Sequence, residues 1–367
     1  MSWLQNTFRG LLFKNVAFNL TIQVQKNMPL TNEIKISFMN EEKILKNHFV
    51  VQDKLSSQLF INLFLKEEDY ILKDKILSNS FLLKDVLIIK NGVKPYEKGK
   101  GKPAQTSETL KEKPYTSEIK KDETFSPLIG GSLFNKYKLL WDNNYWIKYG
   151  EWLAAPREKE IFESSEKLIF RQTSDSLIGT YIGAGFIMRN NTHILLAKEN
   201  SVLKLKYVLA VLNSKLLDYF YWTINPEKGE AMAEVKAFHL GLLPIKNISL
   251  EAQQPFITLA DKMLTLNETL QKKSGNFIKV VKQTFALEKI STKLETFYNL
   301  DFDGFMKELK QKLTPKTKLE WLEVFEDTKK SLQEIQTQIA ATDKEINTLV
   351  YKLYDLTDEE IKIVEGR

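Results

Sequence analysis

Between Ser126 and Thr173 the chain interleaves large aromatics with cations. Tyr137, Trp141, Tyr145, Trp146, Tyr149 and Trp152 lie among lysines, and Arg157, Arg171 and Gln172 follow. Aromatic bodies with polar tips, beside guanidinium and amide groups, suit noncovalent recognition of a flat, charged, hydrogen-bonding partner. Taken one at a time, such rings are more often core. A second stretch, Lys84–Lys121, holds ten lysines against five acids, a net +5 out of +6 for the whole chain. Its KNGVKPYEKGKGKP run combines glycines, which let backbone approach a ligand closely, with lysines, which neutralise phosphates. The alternative is a solvated flexible loop. The Gly-x4-Gly-Lys-Ser/Thr order of a P-loop is missing.

Covalent and metal chemistry find little support. There are no cysteines, which excludes disulfides and thiolate nucleophiles. His48, His193 and His239 are far apart and form no zinc-binding spacing. No Gly-x-Ser-x-Gly elbow occurs. Glu234-Val235-Lys236, with Asp218 upstream, could mimic a metal-dependent nuclease core. Such triplets are common by chance, and this one lies between a helix end and a proline loop. Gly183-Ala184-Gly185 precedes a strand rather than a helix, so it reads as turn glycines and not a nucleotide fingerprint. No apolar run reaches 18 residues and no signal peptide is evident, so the expected location is the cytoplasm and no membrane is expected as a partner.

The elements that must position these residues follow from periodicity. Phe18, Leu20, Ile22 and Val24 alternate with polar residues, as do Ile34, Ile36 and Phe38, which predicts a hairpin over 18–38. A lone hairpin is marginal in water, so the chain reads as though it begins in the middle of something. Residues 41–83 read as loop and helix. Val86–Ile89 and Lys167–Arg171 are short strand candidates, and 186–197 reads as two strands around Asn190-Asn191. Leu203–Trp222 reads as one amphipathic helix, stopped by Asn225-Pro226. From Ala252 the texture is helical. Leu259, Met263, Leu266 and Leu270 form one stripe; Leu332, Ile335, Ile339, Thr342, Ile346, Leu349 and Leu353 form another at heptad spacing, and the two are expected to pack antiparallel as an arm. Thr314-Pro315 predicts a helix start, and Thr357 with Glu360 predicts a capping box.

Several segments, in order, carry a family resemblance. They are GVKPYEKGKGKP (Gly92–Pro103), PLIGG (Pro127–Gly131), NKYKLLW (Asn135–Trp141), YGEWLAAPR (Tyr149–Arg157), KLIFRQT (Lys167–Thr173), YVLAVLNSKLLDYFY (Tyr207–Tyr221), HLGLLPI (His239–Ile245) and INTLVYKLYDLTDEEIKIVE (Ile346–Glu365). Together they resemble the TaqI-like C-terminal specificity region of adenine-specific type II restriction–modification DNA methyltransferases, over about residues 84–365. The 18–38 segment resembles the closing strands of that family's catalytic domain. The S-adenosylmethionine glycine motif and the Asn/Asp-Pro-Pro-Tyr/Phe motif of the catalytic half do not occur in these 367 residues. The reading is therefore a recognition half without its catalytic half, a fragment or split gene product.

The resemblance implies an α+β fold: a mixed-sheet target-recognition domain followed by an all-α region with an antiparallel helical arm. The expected divisions are a β-hairpin remnant at 1–45, a helical linker and basic loop at 46–125, the recognition domain at 126–250 and the helical spacer at 251–367. The expected function is sequence-specific recognition of double-stranded DNA. Expected contacts are Lys94, Tyr96, Lys98, Lys100 and Lys102 in the basic loop, Lys136, Tyr137, Arg157 and Arg189, and the run Arg171, Gln172, Thr173 and Asp175. Arginine can pair with guanine, and glutamine or asparagine with adenine, in the major groove. Leu139, Leu140, Trp146, Ile147 and Leu153 are expected in the core. No cofactor is expected in this chain; S-adenosylmethionine and magnesium are implied only for the absent catalytic domains. Where those domains are separate, a methyltransferase or nuclease subunit becomes a second partner. The alternatives are a type I-like specificity subunit that docks methyltransferase subunits and an enzyme with an unrecognised site.

Overall fold

In the computed structural model the described residues are four strands within 4–51, Asn62, and 64–366 apart from 226, 228 and 231. The organising element is an antiparallel four-stranded sheet in the order Gly179–Ile182, Lys167–Arg171, Thr192–Ala197, Leu87–Asn91. Side chains alternate faces along a strand, so Leu168-Ile169-Phe170 supplies both sides. Leu168 and Phe170 join Leu195 in a core with the helices, while Ile169 and Ile194 join a core with a second sheet. A strand buried on both faces needs a continuous apolar run, which KLIFR provides.

The second sheet is mixed. Ile187–Met188 runs parallel to Phe125–Ile129, which pairs antiparallel with Trp146–Lys148, which pairs with Thr116–Ser117. Trp146, Ile147 and Leu153 are buried in its core, and Leu139 and Leu140 are half-buried. The two strands flanking Asn190-Asn191 belong to different sheets, so the turn is a crossover and not a hairpin. Gly185, at φ +89, takes the left-handed conformation of a turn glycine.

On the other face lie two helices, Leu205–Leu212 and Lys215–Ile224, where the sequence predicts one. The break has a local cause. Ser214 caps the second helix by accepting from the Leu217 N–H, and the Asn213 amide is drawn away to Gly179. A cap residue is non-helical by nature, so the amphipathic stripe continues while the backbone does not.

Two early expectations change. Val16–Val24 and Glu33–Met39 are strands, but they pair with Leu4–Phe13 and Ile44–Val51 respectively, not with each other. Period-two alternation identifies a strand without naming its partner. The stretch 41–83 contains that last strand as well as the helix Glu67–Leu77.

Beyond Ser249 the regular elements among the described residues are helices. The long helices Leu250–Thr284 and Pro315–Leu353 run antiparallel. Met263 shares a core with Ile346, Leu270 shares one with Leu332, and the Lys273 ammonium donates to the Ser331 hydroxyl at 2.9 Å. At 1.5 Å per residue the second helix is about 58 Å long. Thr314 caps it with Pro315 in its first turn, and Thr357 and Glu360 form the capping box of Asp358–Glu365. Near the far end Phe277, Phe297, Phe302, Phe305 and Phe325 close a separate core. No helix among the described residues is long and apolar enough to cross a membrane.

Candidate nucleic-acid interface

The basic loop is built, not slack. Gln105 is buried and serves five backbone groups. Its N–H donates to Lys100 O, its carbonyl accepts from Gly99 N, Oε1 accepts from Glu97 N, and Nε2 donates to Pro95 O and Trp152 O. Gly101 at φ +86 packs so closely that a Cβ would lie 2.3 Å from the Trp152 carbonyl. Lys98, Lys100 and Lys102 are held outward on this frame. Lys94 is tied to Glu97 at 2.7 Å, which holds that carboxyl below its usual range. Tyr96 is half-buried; its hydroxyl accepts from Tyr115 N and meets Thr116.

Gly92 touches the backbone of one arginine and the side chain of another. A Cβ there would lie 2.2 Å from Met188 O and 2.3 Å from Arg189 O, so only glycine lets this strand end meet the 188–189 backbone. From the other side Arg157 Nε donates to Gly92 O at 3.2 Å. Arg157 is exposed, and its terminal nitrogens have no acceptor among the described residues. Arg189 is exposed, with one nitrogen 3.3 Å from the Tyr145 hydroxyl.

The same sheet end carries Gln172 and Thr173. The Gln172 N–H donates to Asn191 O, and its carbonyl accepts from Val235 N at 2.7 Å. Its half-exposed amide makes no hydrogen bond among the described residues. Thr173 is exposed and bridges to Glu234, and the exposed Asp175 accepts from Gly229 N at 3.1 Å. Beneath them His193 is sandwiched between the Asn91 amide, at 2.7 Å, and the Val235 carbonyl, at 2.6 Å.

One expected contact is buried and two more are engaged within the protein. Tyr137 is buried, 1% exposed, under the Phe134–Leu139 turn. It is a core residue, and burial pushes its hydroxyl well above the tyrosine range. Arg171 lies over the Phe134 ring and bonds Phe134 O and Asn135 Oδ1. Lys136 donates to Asn213 O at 2.7 Å and to Asp218 at 3.0 Å. Both cations brace the turn. The tryptophans are likewise occupied: Trp141, Trp146 and Trp152 each donate to a nearby backbone carbonyl.

Asp218 is held by Lys136, Lys236 pairs with Glu227, and no cluster of three or more His, Asp or Glu among the described residues is placed to hold a metal. What the surface offers is fixed cations and a free amide over a braced sheet end.

Residues 126–245 match the TaqI-like C-terminal specificity domain. The matched stretch takes in the aromatic block, Arg157, Arg189 and the Gln172 corner. Residues 249–350, which hold most of both long helices, match a domain of unknown function (DUF8810). No curated protein matches the chain. Solved structures with similarity include the HsdS subunit from Thermoanaerobacter tengcongensis, at 12% identity over 67% of this chain and 52% of that one, TM-score 0.30. Another belongs to a type I R-M system, at 12% identity over 56% and 46%, TM-score 0.30. A third is the type IIL restriction-modification enzyme MmeI in complex with DNA, at 11% identity over 71% and 35%, TM-score 0.33. This chain therefore spans about half or less of each of those proteins.

Proposed function

We propose that this protein recognises a specific sequence in double-stranded DNA as the target-recognition part of a restriction–modification system. The observation that carries the reading is the specificity-domain match at 126–245, which falls where Arg157, Arg189 and the free Gln172 amide share one sheet end. Lys98, Lys100 and Lys102 supply the phosphate contacts that position a protein on a duplex; Gln172 and the two arginines supply base-edge donors and acceptors. Methyl transfer to adenine is assigned to a partner or region outside these 367 residues, because neither catalytic motif occurs in them. S-adenosylmethionine and magnesium go with that partner.

A second reading, a specificity subunit that docks separate methyltransferase subunits, draws on the helical arm. The heptad stripes are buried against each other, yet Val280, Leu319 and Val324 remain more than half exposed on it. Fluorescence anisotropy of the full chain with a mixed-sequence duplex tests the primary reading. Affinity should fall steeply as salt rises. Absence of binding at low salt would overturn it.

A further inference from the structure

A groove of about 1120 Å³ separates the specificity domain from the first long helix. One wall is the Lys138–Leu139 strand with Thr180 and Tyr181; the other is the helix face running from Leu264 to Lys282. Four lysines line it, Lys138, Lys272, Lys279 and Lys282, against two acids, Asp142 and Glu268. None of the four ammonium groups is in an ion pair among the described residues. Midway along the helix wall Gly275 faces open space, with nothing within 4 Å of where a Cβ would sit.

Three features set this apart from an ordinary solvated helix face. Lys138 is half-buried with no counter-ion, and desolvation lowers its pKa. An unpaired cation kept partly out of water is costly unless a ligand supplies the missing charge. Next, Lys272 and Lys282 are ten residues apart on one helix, about 15 Å along the axis, which suits several successive phosphates. Last, the groove adjoins the turn that abuts the proposed recognition face. Lys138 sits directly across the turn from Asn135, and Asn135 accepts from Arg171 at the sheet end.

We infer that this groove holds the sugar–phosphate backbone of the same duplex that the specificity domain reads, extending the footprint onto the first long helix. The inference rests on the DNA-recognition reading and adds to it a second surface that binds without reading bases. Small or open wall residues such as Gly275 let a backbone approach, and the lysines act as point charges rather than as base readers.

The test uses the full chain with Lys272→Gln, Lys279→Gln and Lys282→Gln together. A control carries Lys312→Gln, Lys316→Gln and Lys330→Gln, an equal charge loss elsewhere. Affinity is measured across a salt series on a duplex enriched by the unaltered protein and on mixed-sequence duplex. Each phosphate contact contributes about 0.9 to the slope of log affinity against log salt, so the groove variant should flatten that slope by about 2–3. Its preference for the enriched sequence should be unchanged, and the control should keep the original slope. An unchanged slope in the groove variant, with sequence preference intact, would overturn this inference alone. Absence of duplex binding by the unaltered chain would overturn the recognition reading and this inference with it.

Discussion

Asn213 holds Gly179 by both ends of its amide: the Gly179 N–H donates to Oδ1 at 3.0 Å, and Nδ2 donates to the Gly179 carbonyl at 3.0 Å. Asn213 ends one helix and Gly179 begins the edge strand, so a single side chain locks the helical layer to the sheet. The same glycine carbonyl accepts from Tyr137 N at 3.1 Å, which ties in the turn that carries Lys136 and Asn135.

Asn213→Ala should therefore leave the Gly179 N–H buried without an acceptor. The expected loss is about 1–3 kcal/mol, read by urea unfolding. Gly179→Ala should also destabilise, because a Cβ would lie 2.3 Å from the buried Phe170 ring. An Asn213→Ala variant as stable as the parent would show that the clamp contributes nothing.

Lys167 is fully buried in the central sheet, where its ammonium donates to the carbonyls of Phe162, Ser164 and Gly183 at 3.0, 2.9 and 2.6 Å. It closes the 162–167 turn against the edge strand. Lys167→Met keeps the apolar stem and removes the donors, stranding the acceptors. A cost of about 2–5 kcal/mol is expected, checked by the thermal midpoint together with the denaturant midpoint.

Acid should weaken the sheet end through His193. Burial lowers its pKa, and the Val235 carbonyl and Glu234 only partly oppose this. The folded value lies below the unfolded value of about 6.5, so the unfolded chain takes up the proton first. This contribution is fully present above about pH 6.5 and is lost as pH falls through the folded value. His239 is shifted in the same direction, by burial and then by Lys236. Calorimetric scans at about pH 7.5 and about pH 5 should show a drop in midpoint that His193→Gln reduces without abolishing. An identical drop in that variant would contradict the assignment.

The two kinds of DNA contact should separate on substitution. Gln172→Ala should relax preference at one base position and cost about 1–3 kcal/mol on the preferred duplex. Replacing Lys98, Lys100 and Lys102 with Gln should weaken binding to all sequences alike and flatten the salt dependence. Binding assays on a panel of single-base variants of the preferred site distinguish the two patterns.

Local signals were legible in the sequence. The Thr314-Pro315 start, the Thr357–Glu360 box and the two arm stripes each depend on residues within a few turns of one another. The burial of Tyr137 and the internal bonds of Arg171 and Lys136 were not legible. They are decided by Phe134, Asn135, Asn213 and Asp218, and no spacing rule links Lys136 to residues more than seventy positions away. Gln105 carried no signal either, since a buried amide serving three backbone groups looks like any loop glutamine. Gly92 and the glycine-rich loop were visible as glycines. That Gly92 lies between the 188–189 backbone and the Arg157 guanidinium emerges only from the fold.

The most direct test of the recognition claim is selection of duplexes from a random pool by the full chain at low salt, followed by sequencing. One short sequence should be enriched, with preference lost at a defined position in Gln172→Ala. Recovery of a pool with no enriched sequence, from protein that still binds DNA, would contradict it.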